Sequence, residues 1–370
     1  MPKGGMIPKK NRTEGPKYGS KNIAAGLFAA MLLQWNRKVN KRSMPWKGEK
    51  DPYKIWLSEI ILQQTRVEQG LKYYENFTSA FPDVHSLANA SDEKILKLWE
   101  GLGYYSRCRT LIITARHITS ELGGNFPKSY NDILELKGVG TYTAAAIASF
   151  AYNSPYAVLD GNVFRVLSRI MDVDIAIDSS EGKKAFSKLA QEILPQKNAA
   201  EYNQAIMDFG AVICKPVPEC HRCFFKKNCV AFLSGKQDVL PIKQKKLKVK
   251  KRWLNYFVII HQQEILIHQR TQKDIWQELF EFLLIETPTE TGSDRLVRLF
   301  EKQYGIQDYR PISNSFAEQK LTHQYIHFSF SKLQLSNKTN IPGCIWVNIS
   351  DIDDYTFPKT LKQFIVSQLI

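Results

Sequence analysis

LKGVGTYTAAAIASFAY, residues 136 to 152, decides the fold. Two helical stretches meet there through Gly138, Val139 and Gly140. Glycines let one backbone approach another closely, and the amides that open the second helix point outward. Such a turn is either a plain tight connection or a cradle for phosphate without sequence preference. Working outward, residues 22 to about 235 read as nearly all helix. The segments KNIAAGLFAAMLLQWNRKV, DPYKIWLSEIILQQTRVEQGLKYYENF, SDEKILKLWEGL and SRCRTLIITARHITSELG each carry an apolar stripe at helical spacing. SDEK and SYNDILEL open on Ser, and PYKI follows an Asp, as helix starts do. A basic, Pro-containing connector, 236 to 252, breaks the pattern. Beyond it, from 253 to 370, the period changes to two: NYFVIIHQQEILIHQR predicts a β-hairpin and YIHFSFSKLQL a strand, with helices in DRLVRLFEKQYG and TLKQFIVSQLI. The chain therefore divides into a mainly α region and an α+β region.

Composition narrows the partners. Among 370 residues, 51 Lys and Arg outnumber 36 Asp and Glu, a formal charge of +15. Such an excess points to a polyanion, and no segment favours a membrane: AAGLFAAMLL is too short to span one. Residues 1 to 21 are basic, Gly- and Pro-rich and lack a signal peptide's apolar stretch, so they read as a flexible arm on a cytoplasmic protein. In a reducing compartment the six cysteines are metal ligands or core residues rather than disulfides. Cys214, Cys220, Cys223 and Cys229, in CKPVPECHRCFFKKNC, are spaced to wrap one tetrahedral Zn²⁺ or one [4Fe–4S] cluster. The single CxxC knuckle favours iron–sulfur over zinc. Cys108 and Cys344 stand apart as ordinary thiols.

Two carboxylates raise a chemical question. Glu59 lies in WLSEIILQQT among Trp56, Leu57, Ile60 and Ile61, with Ile55 and Leu62 one turn either side. It is either a solvated residue on a helix edge or a buried acid held for use. Asp160, in LDGNVFRVLSRI, is either a helix cap or a carboxylate presented to substrate. One carboxyl in apolar surroundings and one in a polar, ionised setting form the pair that cleaves a glycosidic bond: the first donates a proton, the second stabilises an oxocarbenium-like centre.

Together MPW (44 to 46), PYKIWLSEIILQQTRV, WEGLGYYSR, LKGVGTYTAAAI, LDGNVFRVLSR, NQAIMDFGAVIC and the cysteine loop resemble the helix-hairpin-helix DNA glycosylases, within them the adenine-specific mismatch (MutY) branch. The resemblance covers the chain after the arm. It implies a six-helix barrel module (about 45 to 151), an iron–sulfur module (about 22 to 44 plus 152 to 235), and a Nudix-like domain from 253 to 370. It further implies a monomeric enzyme, associated with the nucleoid, that acts on double-stranded DNA carrying A opposite 8-oxoguanine. Glu59 corresponds to the acid that protonates adenine N7, Asp160 to the carboxylate beside the sugar cation, and Asn162 to its support. Such a base must be flipped out of the duplex. Gln64 and Tyr104 match the side chains that fill the gap and wedge beside the lesion. Gly138, Val139 and Gly140 hold the backbone. Where relatives with lyase activity carry a Schiff-base Lys, this chain has Tyr142, which cannot form an imine, so a monofunctional enzyme is expected.

Within the second region, RLFEKQYGI places Leu299, Lys302 and Gln303 where Nudix hydrolases carry three metal-binding acids, which argues for recognition rather than hydrolysis. Leu321, Thr322 and His323 fill the family's lesion-reading triplet, with Thr in place of Ser. Leu283 stands where the domain usually has Pro. The competing readings are an endonuclease III-like glycosylase/lyase, opposed by Tyr142, a catalytically silent DNA-binding protein, opposed by retention of Glu59 and Asp160, and a Nudix pyrophosphohydrolase, opposed by the lost acids.

Overall fold

The computed structural model describes residues 23–244 and 249–369. The expected arm, 1 to 21, and part of the basic connector lie outside them. Helices run α1 (Ala25–Lys38), α2 (Pro52–Leu62), α3 (Val67–Ala80), α4 (Val84–Ala88), α5 (Asp92–Trp99) and α6 (Tyr105–Glu121). They continue as α7 (Tyr130–Glu135), α8 (Thr141–Tyr152), α9 (Gly161–Ile170), α10 (Ser180–Ile193), α11 (Ala199–Val212) and α12 (Val230–Leu233). Then follow β1 (Lys250–His261), β2 (Glu264–Gln269), β3 (Phe280–Glu281), β4 (Leu283–Thr287), α13 (Ser293–Tyr304), β5 (Tyr309–Lys320), β6 (Gln324–Leu335), β7 (Cys344–Asn348) and α14 (Lys359–Gln368). Start signals act as read: Ser91 Oγ accepts from Lys94 N and Asp51 Oδ1 from Tyr53 N. The stretch expected as one helix from Pro52 to Phe77 is two, because Gln64 turns left-handed at φ 57° between α2 and α3.

Two compact units divide the described residues: 23–55, 128–135 and 139–244 form one, 56–127, 136–138 and 249–369 the other, so one boundary falls inside the basic connector and another at 55/56. The first unit packs α1, α8, α9, α10 and α11 around Phe28, Trp35, Val166, Phe186 and Phe209. Phe225, from the cysteine loop, plugs this core against Phe28 at 5.1 Å and Phe209 at 5.2 Å between ring centroids. Leu240, expected in the connector, is buried in the same core.

The second unit joins the helices from α2 to α6 with the sheet region. Its sheet runs β3-β2-β1-β6-β5, with β4 paired to β1 and β7 to β2. β1 and β6 are parallel, Leu254 opposite Phe328. Because side chains alternate, Leu254, Tyr256 and Val258 face α14 through Phe364 and Ile365, while Phe257 and Ile259 face α13 through Leu296 and Phe300. β1 begins at Lys250, inside the expected connector, because Arg252 is 6% exposed and bridges Asp274 and Glu286. Helical part and sheet part meet through polar contacts: Phe357 N donates to Glu100 Oε1 at 3.0 Å and Arg109 Nη1 to the Gln277 carbonyl at 2.7 Å.

Candidate active site

Glu59 is 7% exposed on α2, and Ile55, Trp56, Leu57, Ile60 and Ile61 are at most 4% exposed. The solvated-edge reading is thereby excluded: the side chain is buried, on a helix whose neighbouring positions are buried and apolar. The end of its helix is braced by Arg107, which the sequence reading left unassigned. One arm of this guanidinium donates to the Ile60 and Ile61 carbonyls at 2.8 Å each, the other to Thr65 Oγ1 at 3.1 Å and the Gly103 carbonyl at 3.3 Å. Its faces cover the rings of Trp99 and Tyr104. Burial pushes the Arg107 pKa down to about 10. Gln64 (φ 57°) and Tyr104 (φ 52°) both sit in left-handed backbone on either side of this brace, and both side chains are exposed. The frame thus fixes two outward-pointing residues from two separate turns.

Asp160 belongs to the other unit. It caps α9 by accepting from Val163 N at 2.8 Å, and its other oxygen accepts from Asn162 Nδ2 at 2.7 Å. Its setting is less open than the sequence suggests: it is half-buried, and burial pushes the carboxyl above the usual range, against the pull of those hydrogen bonds and of Arg165. Arg165 donates to Asn162 Oδ1 at 2.8 Å, to the Gly210 carbonyl at 2.8 Å and to the Cys214 carbonyl at 2.7 Å. Gly210 is required here, because a Cβ would lie 2.7 Å from Asn162 Cβ and 3.0 Å from its carbonyl oxygen. Arg165 and Gly210 were missed, since nothing in NVFRVLSRI or DFGAVIC separates a tethering residue from an ordinary helical one.

At the hairpin, Gly138 has φ 75°, and a Cβ there would meet Thr110 Cγ2 at 2.2 Å. Thr114 Oγ1 donates to the Lys137 carbonyl at 2.8 Å and holds the same turn on α6. Val139 is buried, while exposed Gly140 opens α8 with no side-chain cap and no acid in its first turn. Tyr142, one residue into α8, packs partly against the core of its unit.

Tyr104, Thr322 and His323 come together around a cleft of about 500 Å³ in the second unit, with Gln69, Arg109 and Trp276. The Tyr104 and Thr322 hydroxyls hydrogen-bond directly. A loop of the sheet region therefore meets the turn before α6 through the hydroxyl that Thr retains. Leu283, in β4, is fully buried beneath α13.

Cys214, Cys220, Cys223 and Cys229 line one cavity of the first unit together with Arg169. Burial raises the Cys223 thiol to about 12 and the Cys229 thiol to about 11. Arg169 Nη1 donates to Cys214 Sγ at 3.5 Å and the Lys215 carbonyl at 2.6 Å. No carboxylate or imidazole lines this cavity beyond Glu219, which pairs with Lys215 and Arg222. Among the described residues no three or more His, Cys, Asp or Glu side chains are gathered as around a single metal ion.

A helical fold with a glycine hairpin and an enclosed glutamate, followed by an α/β sheet domain, defines a class: residues 57–196 match the model of HhH-GPD superfamily base excision DNA repair proteins, and 255–367 match the NUDIX domain. A solved thermostable thymine-DNA glycosylase aligns with TM-score 0.51 and 28% identity over 57% of this chain and 97% of its own. Endonuclease III in a non-covalent DNA complex shares the fold, with TM-score 0.50 and 18% identity over 58% and 98%. The adenine DNA glycosylase of Buchnera aphidicola subsp. Schizaphis graminum is 32% identical over 350 residues, 92% of this chain and 98% of that protein. The chain belongs to the adenine DNA glycosylase family.

Proposed function

We propose that the protein flips adenine out of duplex DNA where it is mispaired with 8-oxoguanine or G and hydrolyses its N-glycosidic bond, leaving an abasic site. The observation that carries this reading is the enclosure of Glu59. Burial on an apolar stretch of helix keeps this carboxyl out of bulk water, as suits a donor to adenine N7. Asp160, oriented by Val163 N and Asn162, stabilises the positive sugar carbon as the bond breaks, and Glu59, having lost its proton, draws one from the attacking water. Gln64 and Tyr104 fill the space left by the flipped base, and Thr322 and His323 read the lesion on the opposite strand. Gly138, Val139 and Gly140 take the backbone phosphates. Tyr142 offers no amine, so the reaction ends at hydrolysis.

Cys214, Cys220, Cys223 and Cys229 would hold a [4Fe–4S] cluster; a shared cavity, a single CxxC and the Arg169 N–H toward Cys214 Sγ support that fit. When bound, it supplies four iron–thiolate bonds that tie the loop carrying His221, Arg222, Lys226 and Lys227. A six-helix barrel module and an iron–sulfur module within the helical region, and a monomeric, cytoplasmic, nucleoid-associated enzyme, complete the reading. Among the described residues no helix is long and apolar enough to cross a membrane.

Duplexes bearing A opposite 8-oxoguanine, A opposite G, or thymine glycol test it, with strand nicking scored before and after alkali. Adenine release with nicking only after alkali is expected. Thymine glycol release with nicking before alkali would move the protein to the lyase branch.

A further inference from the structure

A second cleft, about 870 Å³, lies on the sheet of the second unit, away from Tyr104 and Thr322. α13 covers only one end of that sheet face, through Leu296 and Phe300. The rest is floored by Trp253, Asn255, His327 and Ser329 and bounded by β5. Its charge is unusual for this chain: no Lys or Arg lines it, and Glu290 and Glu318 are its only carboxylates, in a protein of net charge +15. Nucleic acid requires cations at its phosphates, so this surface repels it.

β5 forms the edge of the sheet and, among the described residues, pairs only with β6. Pro311 and the bulge at Ile312 blunt one end and Lys320 the other; between them the outer amides and carbonyls of residues 313 to 319 form an open ladder. Asn314, Phe316 and Glu318 point into the cleft from this strand. Phe316 is 81% exposed. Glu318 is held in place by His327 Nδ1 at 3.0 Å and by the Tyr325 hydroxyl, and His327 stacks on Trp253 at 5.0 Å between centroids.

We infer that this edge and cleft dock an extended segment of a partner protein, which adds a strand to β5 and places an apolar side chain on Phe316 and a Lys or Arg two residues away against Glu318. The spacing follows from the period of two: Phe316 and Glu318 share a face, so their opposite numbers do too. Main-chain bonds along β5 supply affinity, and the cleft supplies selection.

The test selects phage-displayed random dodecapeptides on the full-length protein, with counter-selection on the Phe316→Asp, Glu318→Lys double variant. Both positions are exposed and outside the proposed catalytic machinery, so the variant should keep its thermal midpoint and its action on lesion duplexes. Enriched sequences carrying an apolar-x-basic core, bound about thirtyfold less tightly by Phe316→Asp and about tenfold less by Glu318→Lys in fluorescence anisotropy, are the expected result. Lesion duplex should not displace them. Absence of enrichment, sequences without that core, or equal binding to the variant would overturn the inference. Displacement by DNA would assign the cleft to nucleic acid instead, and self-association abolished by the double variant would assign it to a second copy. The peptide-binding readouts do not depend on base release.

Discussion

Arg107→Lys separates a braced helix end from a merely charged one. The guanidinium reaches four acceptors on two turns, the Ile60 and Ile61 carbonyls, Thr65 Oγ1 and the Gly103 carbonyl, with its two arms. An ammonium on a flexible stem keeps the charge at the C-terminus of α2 but cannot span both turns. Losing two hydrogen bonds to a charged donor, each about 1.5 kcal/mol, gives a destabilisation of about 3 kcal/mol. For a unit of this size that lowers the thermal midpoint by roughly 6–12 °C. The site also gives the variant a pH signature. Burial already pushes Arg107 down to about 10, and a lysine starts about two units lower than an arginine, near 10.4. The buried lysine would therefore titrate well below its unfolded value. The unfolded state then binds more protons, so stability rises with pH through the neutral range, whereas the wild type gains only above about 10. Differential scanning fluorimetry at pH 7 and pH 9 reads both effects. A midpoint within about 2 °C of wild type at pH 7, the equivalent of under about 1 kcal/mol, would refute the brace. Weaker binding to the lesion duplex should accompany the loss, because Gln64 and Tyr104 hang from the same frame.

Other consequences are more local. Asn162→Leu removes a donor that favours ionised Asp160, so its carboxyl climbs further and the acid limb of the single-turnover rate moves to higher pH; an unmoved limb would mean that another group sets it. Gly210→Ala forces its Cβ against Asn162 and should slow base release roughly tenfold while duplex affinity holds, consistent with about 1.4 kcal/mol of misalignment. Tyr142→Lys supplies the missing amine, and a borohydride-trapped protein–DNA adduct is the expected gain; no adduct would show that α8 does not present this position to the sugar.

Much of the fold was legible because each element repeats one chemical pattern. Ser91, Asp51 and Asp160 cap helices as their types demand, and the β1–β2 hairpin turns at Gln262 and Gln263, where apolar alternation breaks. β5 was not legible: YRPISNSFAEQK is an exposed edge strand with little to bury, so no period-two stripe marks it. The helix break at Gln64 was hidden for the opposite reason, since apolar spacing runs on through VEQGLKYY and only the backbone shows the left-handed turn. Glu59 and Asp160 stood out in the sequence as candidates, each beside a plain structural reading, and only the matched motifs gave them roles. Arg107, Arg165 and Gly210 act through carbonyls and close approach, which leave no pattern in a single chain. The half-burial of Asp160 was also invisible, because residue type alone does not report how far a helix start is packed.

Buried Glu59 is the proposed proton donor for adenine release. Single-turnover release of adenine opposite 8-oxoguanine should be compared in the wild type and Glu59→Gln, with duplex affinity measured in parallel. Loss of release by a factor of roughly 10² or more, with affinity retained, is the predicted result. Release at the wild-type rate by Glu59→Gln would contradict the account and leave the burial of Glu59 a matter of packing alone.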